Sequence, residues 1–127
     1  LEAGYRGTGE GKGYFPQISG FRVCVDRNRP DGQRIVQMQV PTAASAWQEI
    51  EPEHMYSVVV PDFLYRGGDG YDFTAAADVS RPGSELKFLV LDAVIRAQAA
   101  GTKVGAPLDP RNPRFAIPAP GAQFCFD

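Results

Sequence analysis

Phe63 stands six residues before Asp69, and glycines occupy positions 67, 68 and 70. The run is Pro61-Asp62-Phe63-Leu64-Tyr65-Arg66-Gly67-Gly68-Asp69-Gly70-Tyr71. A phenyl ring offers a flat face on which a nucleobase stacks. An ionised carboxylate only accepts hydrogen bonds, which suits the two hydroxyls of a vicinal diol. Gly67 and Gly68 allow positive φ and let a ligand approach the backbone closely. Together these residues read as a nucleoside site. The bland reading is a turn or calcium-like loop without a ligand, since glycine and aspartate are common turn residues.

Other chemistry is sparse. A catalytic metal site needs several convergent His, Asp, Glu or Cys ligands. The chain has one histidine, His54, beside a turn, where a solvent-exposed loop position is the simpler reading. Cys24 and Cys125 match no zinc spacing. They can form a bridge that ties the C-terminal tail down, or stay reduced and buried. No Ser-His-Asp set stands out.

The elements that must position the loop follow from periodicity. Phe21 to Asp26 alternates as a strand, and so does Arg34 to Val40. A turn near 27–33 joins them into a hairpin, with Ile35, Gln37 and Gln39 expected on one face and Val36, Met38 and Val40 on the other. Pro41 ends the second strand. Trp47 to Ile50 is a further short strand. Met55 to Val60 is apolar at both alternations, which predicts a central strand covered on both faces, with Phe63 and Asp69 just past its end. Ser84 to Ala100 is the main helix, with Ser84 as N-cap, Gly101 beyond its C-terminus, and an aliphatic stripe read as core. Leu1 to Gly4 looks like the last turn of a helix capped by Gly4. Tyr71 pairs more naturally with Phe73 in the core than with a ligand. The four glycines within residues 5–13 predict a mobile loop; neither a strand before it nor a helix after it supports phosphate binding.

At 127 residues the chain is one domain or part of one. A chain of this size buries about two-thirds of its unfolded surface. Its formal charge of −2 and the absence of a basic patch argue against nucleic-acid polymers as partners. No apolar run is long enough to span a membrane, and no signal peptide is visible.

Four blocks resemble the C-terminal domain of the 5'-nucleotidase family. They are Gly13-Tyr14-Phe15-Pro16-Gln17-Ile18-Ser19-Gly20-Phe21-Arg22-Val23, Gly32-Gln33-Arg34-Ile35-Val36, Tyr56-Ser57-Val58-Val59-Val60-Pro61-Asp62-Phe63 running into Gly67-Gly68-Asp69-Gly70-Tyr71, and the helix from Leu86 to Ala100 with Arg114-Phe115 after it. They span roughly residues 1 to 117, and the tail 118–127 lies outside them. The resemblance implies an α+β fold: a mixed β-sheet with one main helix packed on it, part of a layered α-β-β-α domain. It implies that Phe63 stacks on the base, that Asp69 accepts from the ribose hydroxyls, and that Gly67 and Gly68 let the loop pass close to the nucleoside. A second aromatic and the phosphate-holding side chains belong to an earlier half of the domain, expected upstream of Leu1. Two divalent metal ions belong to the family's N-terminal domain, so no cofactor and no catalytic residue is assigned to this chain. The expected partners are a nucleoside or nucleotide and the upstream portion of the protein. An incomplete domain also predicts an open apolar face, with either self-association or a segment rearranged to cover it. The family implies a periplasmic or extracellular location. Related thiosulfohydrolases share the scaffold, but thiosulfate has no base or diol for Phe63 and Asp69. The alternative is a stand-alone, non-catalytic binding or interaction module on the same scaffold.

Overall fold

The structure is a computed structural model that describes residues 1–7, 12–81, 83–105 and 113–126. Four strands form one mixed sheet: β1 (Arg22–Val25), β2 (Ile35–Pro41), β3 (Trp47–Glu49) and β4 (Phe115–Ala116), in the order β3-β2-β1-β4. β1–β2 and β2–β3 are antiparallel, and β4 joins β1 in parallel. Two helices complete the regular structure, the single turn α1 (Asp62–Tyr65) and the main helix α2 (Leu86–Ala99). The expected α+β class, with a mixed sheet and one main helix, is what forms.

β1 is the most buried element, with Val23 and Cys24 fully covered and Val25 nearly so. Val23 and Val25 face an apolar cluster with Tyr5, Phe15, Ile18, Phe21, Ile35, Met38 and Phe115. The Tyr5 ring stacks on Phe115 and meets Phe15 edge-on, with centroids 5.8 and 5.5 Å away. Burial holds the Tyr5 phenol above its ordinary pKa, with the nearby Tyr71 adding to the shift.

The opposite face of the sheet is polar and closed by the tail. Gln37 and Gln39 are buried there, and both donate to Glu49 Oε1, at 2.8 and 2.7 Å. Gln37 also accepts from the backbone N–H of Cys125 and Phe126 and donates to the Phe126 carbonyl. Cys24 and Cys125 are bridged, with Cα atoms 5.5 Å apart. Of the two readings the cysteine spacing left open, the disulfide holds. The ring of Phe126 lies under the Arg22 guanidinium, as does Trp47 on its other side. Buried amides are tolerable here because each finds partners.

Several expectations need correction. Ile35 does not share a face with Gln37 and Gln39. The register shifts between Cys24 and Val25, pairing Cys24 with Gln37 and Val25 with Ile35, so Val36 is skipped. Such a bulge reverses the alternation beyond it and turns Ile35 onto the apolar face. Met55 to Val60 forms no strand: no strand among the described residues pairs with it, and Val59 is 94% exposed. Its apolar residues at both alternations signalled two covered faces, but a strand also needs a neighbour for its N–H and C=O groups. The α2 stripe is likewise exposed rather than core, with Leu86, Leu89, Val90 and Val94 all open.

Helix ends differ in detail. α2 begins after Glu85, without a side-chain cap from Ser84. Its C-terminus follows the expectation: Gly101 has φ 64°, its N–H bonds to Gln98 O, and Thr102 N–H bonds to Ala97 O, a Schellman arrangement. Gly4 is not a cap. It lies inside a 3₁₀ turn, Glu2–Tyr5, that Arg6 closes. It is glycine because the Tyr71 hydroxyl and the Pro16 ring fill the space a side chain would take. Arg114 anchors β4: its carbonyl accepts from Val23 N–H and its side chain donates to Ile18 O at 2.7 Å. Part of the glycine-rich loop (8–11) and of the proline-rich stretch (106–112) lies outside the described residues.

The bridge closes a long segment, so its loss should destabilise the fold by about 2–4 kcal/mol. Urea titration of the Cys24→Ser variant against the parent, both without reductant, measures this. Two free thiols per chain in protein isolated from its source under non-reducing conditions would refute the bridge.

Candidate functional site

The site lies on the Pro61–Tyr71 segment. Pro61 leads into α1, whose first residues place Phe63 on an outward turn, and the helix stops after one turn at Arg66. Gly67 then takes φ 90°, a left-handed conformation that terminates the turn without a Cβ clash. Residues 68–70 form a 3₁₀ turn in which Asp69 also adopts a left-handed conformation, φ 55° and ψ 21°. Aspartate is among the few side chains that enter this region readily. The N–H groups of Gly70 and Tyr71 bond back to Gly67 O and Gly68 O.

Gly68 lets the Phe63 ring lie against the loop that carries Asp69. A Cβ there would stand 2.5 Å from the Phe63 carbonyl oxygen and 2.6 Å from two of its ring carbons. The Phe63 ring therefore rests against the backbone of the residue just before Asp69. Its remaining surface is open, with 57% of the residue exposed. A ring filling the core at a strand end would be covered; this one is not.

Asp69 is half-buried, and its carboxylate accepts no hydrogen bond from the described residues. Other aspartates here do serve turns. Asp26 accepts from Asn28 N–H, Asp31 from Gly7 N–H, and Asp72 from both the N–H and hydroxyl of Thr74. Those bonds from Thr74 hold the Asp72 carboxyl below its usual range. The self-bonded turn carboxylate expected of an ordinary loop is thus Asp72, three residues along.

The loop is held from the N-terminal side, not by a buried strand as the sequence suggested. Tyr71 is buried, stacks on Phe73 (centroids 6.4 Å apart, planes at 8°) and donates its hydroxyl to Tyr14 O at 3.1 Å. Its core role with Phe73 is as expected. Burial first, and the Asp69 charge second, keep its phenol protonated above the ordinary pKa, while Arg6 opposes them. Arg6 Nη1 donates 2.6 Å to the Asp69 carbonyl. Arg66 pairs with Asp62 at 3.5 Å in an exposed ion pair that contributes little. Sequence reasoning did not single out Arg6. It precedes Asp69 by 63 positions, and no local pattern links the two.

Metal chemistry finds no donors here. Among the described residues no group of three or more His, Cys, Asp or Glu side chains converges. His54 is exposed, and its ring meets Tyr56 edge-on.

Comparison with known proteins shows the family. The family model for the 5'-nucleotidase C-terminal domain matches residues 1–78. Snake venom 5'-nucleotidase of Crotalus adamanteus is 36% identical over 66 residues, covering 50% of this chain and 11% of that protein. That of Macrovipera lebetinus is 29% identical over 91 residues, 69% of this chain and 22% of the relative. The 5'-nucleotidase of Homo sapiens is 32% identical over 66 residues, 50% of this chain and 12% of the relative. In three dimensions the chain superposes on a 5'-nucleotidase precursor from Thermus thermophilus with a TM-score of 0.74 and 28% identity, covering 92% of this chain and 22% of that one. The chain thus spans no more than about a quarter of any of these relatives. With well over half of its residues matched, it belongs to the 5'-nucleotidase C-terminal domain family.

Proposed function

We propose that this chain supplies base and ribose recognition to a 5'-nucleotidase-type phosphohydrolase that releases phosphate from nucleotides. The observation that carries the reading is the Asp69 carboxylate. It is half-buried, unengaged by the described residues, and one residue from the glycine on which an open phenyl ring rests. Phe63 stacks on the base. Asp69 accepts from the ribose hydroxyls in charge-assisted bonds. Gly67 and Gly68 keep the loop thin, so base and sugar reach both side chains.

Phosphate release belongs elsewhere in this reading. Two divalent metal ions, which the family resemblance assigns to residues outside this chain, would supply the Lewis-acid chemistry for phosphate release. The chain's own share is to bind and orient. The bridged cysteines and the venom relatives support a location outside the cytoplasm. The alternative, a non-catalytic module, is favoured only by the absence of convergent ligands among the described residues.

In the protein at full native length, Phe63→Ala should lose roughly 1–3 kcal/mol of nucleotide affinity. Asp69→Ala should lose roughly 1.5–3 kcal/mol for ribonucleotides and less for their 2'-deoxy analogues, which offer one hydroxyl fewer. The measurement is kcat/KM for AMP and 2'-deoxy-AMP, after circular dichroism shows folded variants. Equal losses on the two substrates would sink the ribose assignment, and an inert Phe63→Ala would sink the stacking one.

The isolated chain should release no phosphate from AMP with added manganese, zinc or cobalt. Turnover that survives repurification, and disappears when residues of this chain are changed, would overturn that. The open α2 stripe should also make the isolated chain self-associate. A single monomeric species at tens of micromolar in sedimentation velocity would contradict it.

A further inference from the structure

We infer that Arg6 is a positioning residue for the ribose-recognising carboxylate, setting the discrimination between ribo- and deoxyribonucleosides without touching the ligand. The inference rests on the reading of Asp69 given above. Three observations on one guanidinium carry it. Arg6 Nη1 donates to the Asp69 carbonyl at 2.6 Å and to the Ala3 carbonyl at 2.7 Å, so one nitrogen joins the ligand loop to the N-terminal 3₁₀ turn. The guanidinium carbon lies 3.9 Å from the centroid of the Tyr14 ring, which fixes its plane. A side chain at Gly70, next to Asp69, would come within 3.4 Å of the same nitrogen, so the loop passes directly against it.

The physical consequence follows from the backbone. Asp69 has φ 55°, and its neighbour Gly70 has φ 74°. Aspartate enters that region more readily than most side chains, but still at a cost that its surroundings must offset. The Asp69 carboxylate accepts nothing from the described residues, so no bond of its side chain keeps it there. The hydrogen bond from Arg6 to its carbonyl does, together with the turn bonds from Gly70 and Tyr71 N–H to Gly67 O and Gly68 O. Being charge-assisted, the Arg6 bond is roughly twice as strong as a neutral one. Tyr71 and Tyr14 add a second tie, since the Tyr71 hydroxyl donates to the Tyr14 carbonyl. A misplacement of about 1 Å in a recognising group is enough to lose its bonds. Lysine can donate to the carbonyl but cannot lie flat on Tyr14 while bonding Ala3 as well.

The test uses the protein at full native length and two nucleosides that carry no phosphate, adenosine and 2'-deoxyadenosine, with affinities from titration calorimetry. Arg6→Ala should lower the ratio of adenosine to deoxyadenosine affinity by about fivefold to tenfold, less than the roughly tenfold to hundredfold of a whole charge-assisted hydrogen bond, because the carboxylate is displaced rather than removed. Arg6→Lys should recover part of it. Asp69→Ala should collapse the ratio, and adding Arg6→Ala to it should change the ratio no further. A residue that only stabilises the fold would lower the melting temperature and weaken both nucleosides alike. A wild-type ratio in folded Arg6→Ala, with the ratio collapsed in Asp69→Ala, overturns this inference and leaves the Asp69 reading standing. A wild-type ratio in Asp69→Ala overturns that reading and this one with it. If Arg6→Ala does not fold, Tyr14→Leu removes the platform and should lower the ratio about twofold to threefold; an unchanged ratio there counts against the inference equally.

Discussion

The burial of β1 is the constraint on which the rest depends. Val23 and Cys24 are wholly covered, so each backbone group of this strand must find a protein partner instead of water. β2 supplies one side in antiparallel register and β4 the other in parallel, with Val23 N–H bonded to Arg114 O. The short β4 is thus brought from far along the chain to complete a ladder. Once the strand is placed, its alternation assigns roles. Val23 and Val25 collect the aromatic cluster, while Cys24 faces the tail.

That division gives the sheet two unlike faces. The aromatic side holds Tyr5, and the 3₁₀ turn carrying Tyr5 continues straight into Arg6. Packing at Tyr5 therefore sets where the Arg6 guanidinium begins, and through it where the Asp69 loop docks. The polar side works differently. Gln37 satisfies its amide on Glu49 and on the backbone of Cys125 and Phe126, so the tail is held by hydrogen bonds as well as by the disulfide. A buried amide left unpartnered would cost roughly 1–3 kcal/mol. The candidate site and the tail hang from opposite faces of the same strand.

The apolar residues that stay outside this arrangement are concentrated in two places, the 55–60 segment and α2. In each, the pattern was read correctly as apolar and wrongly as covered. Val59, at 94% exposed, is the extreme case. Hydrophobicity states that a residue gains by being covered; it does not state which surface covers it.

What the sequence by itself determined is local. Alternation in Phe21–Asp26 and Arg34–Val40 specified the hairpin, because a period of two needs no distant information. Gly101 specified the end of α2, and the spacing of Phe63, Gly67, Gly68 and Asp69 specified a tight loop that packs against the Phe63 ring, because φ > 0 at Gly67 and the missing Cβ at Gly68 are properties of those residues alone. What tertiary structure decided is everything that needed a partner from elsewhere. The skipped residue Val36 moved Ile35 onto the apolar face, the pairing of Cys24 with Cys125 became definite, Met55 to Val60 found no strand to pair with among the described residues, and Arg6 met Asp69 across 63 positions. Propensity and periodicity act over a few residues, whereas ladders, bridges and charge-assisted bonds form wherever the fold brings their halves together.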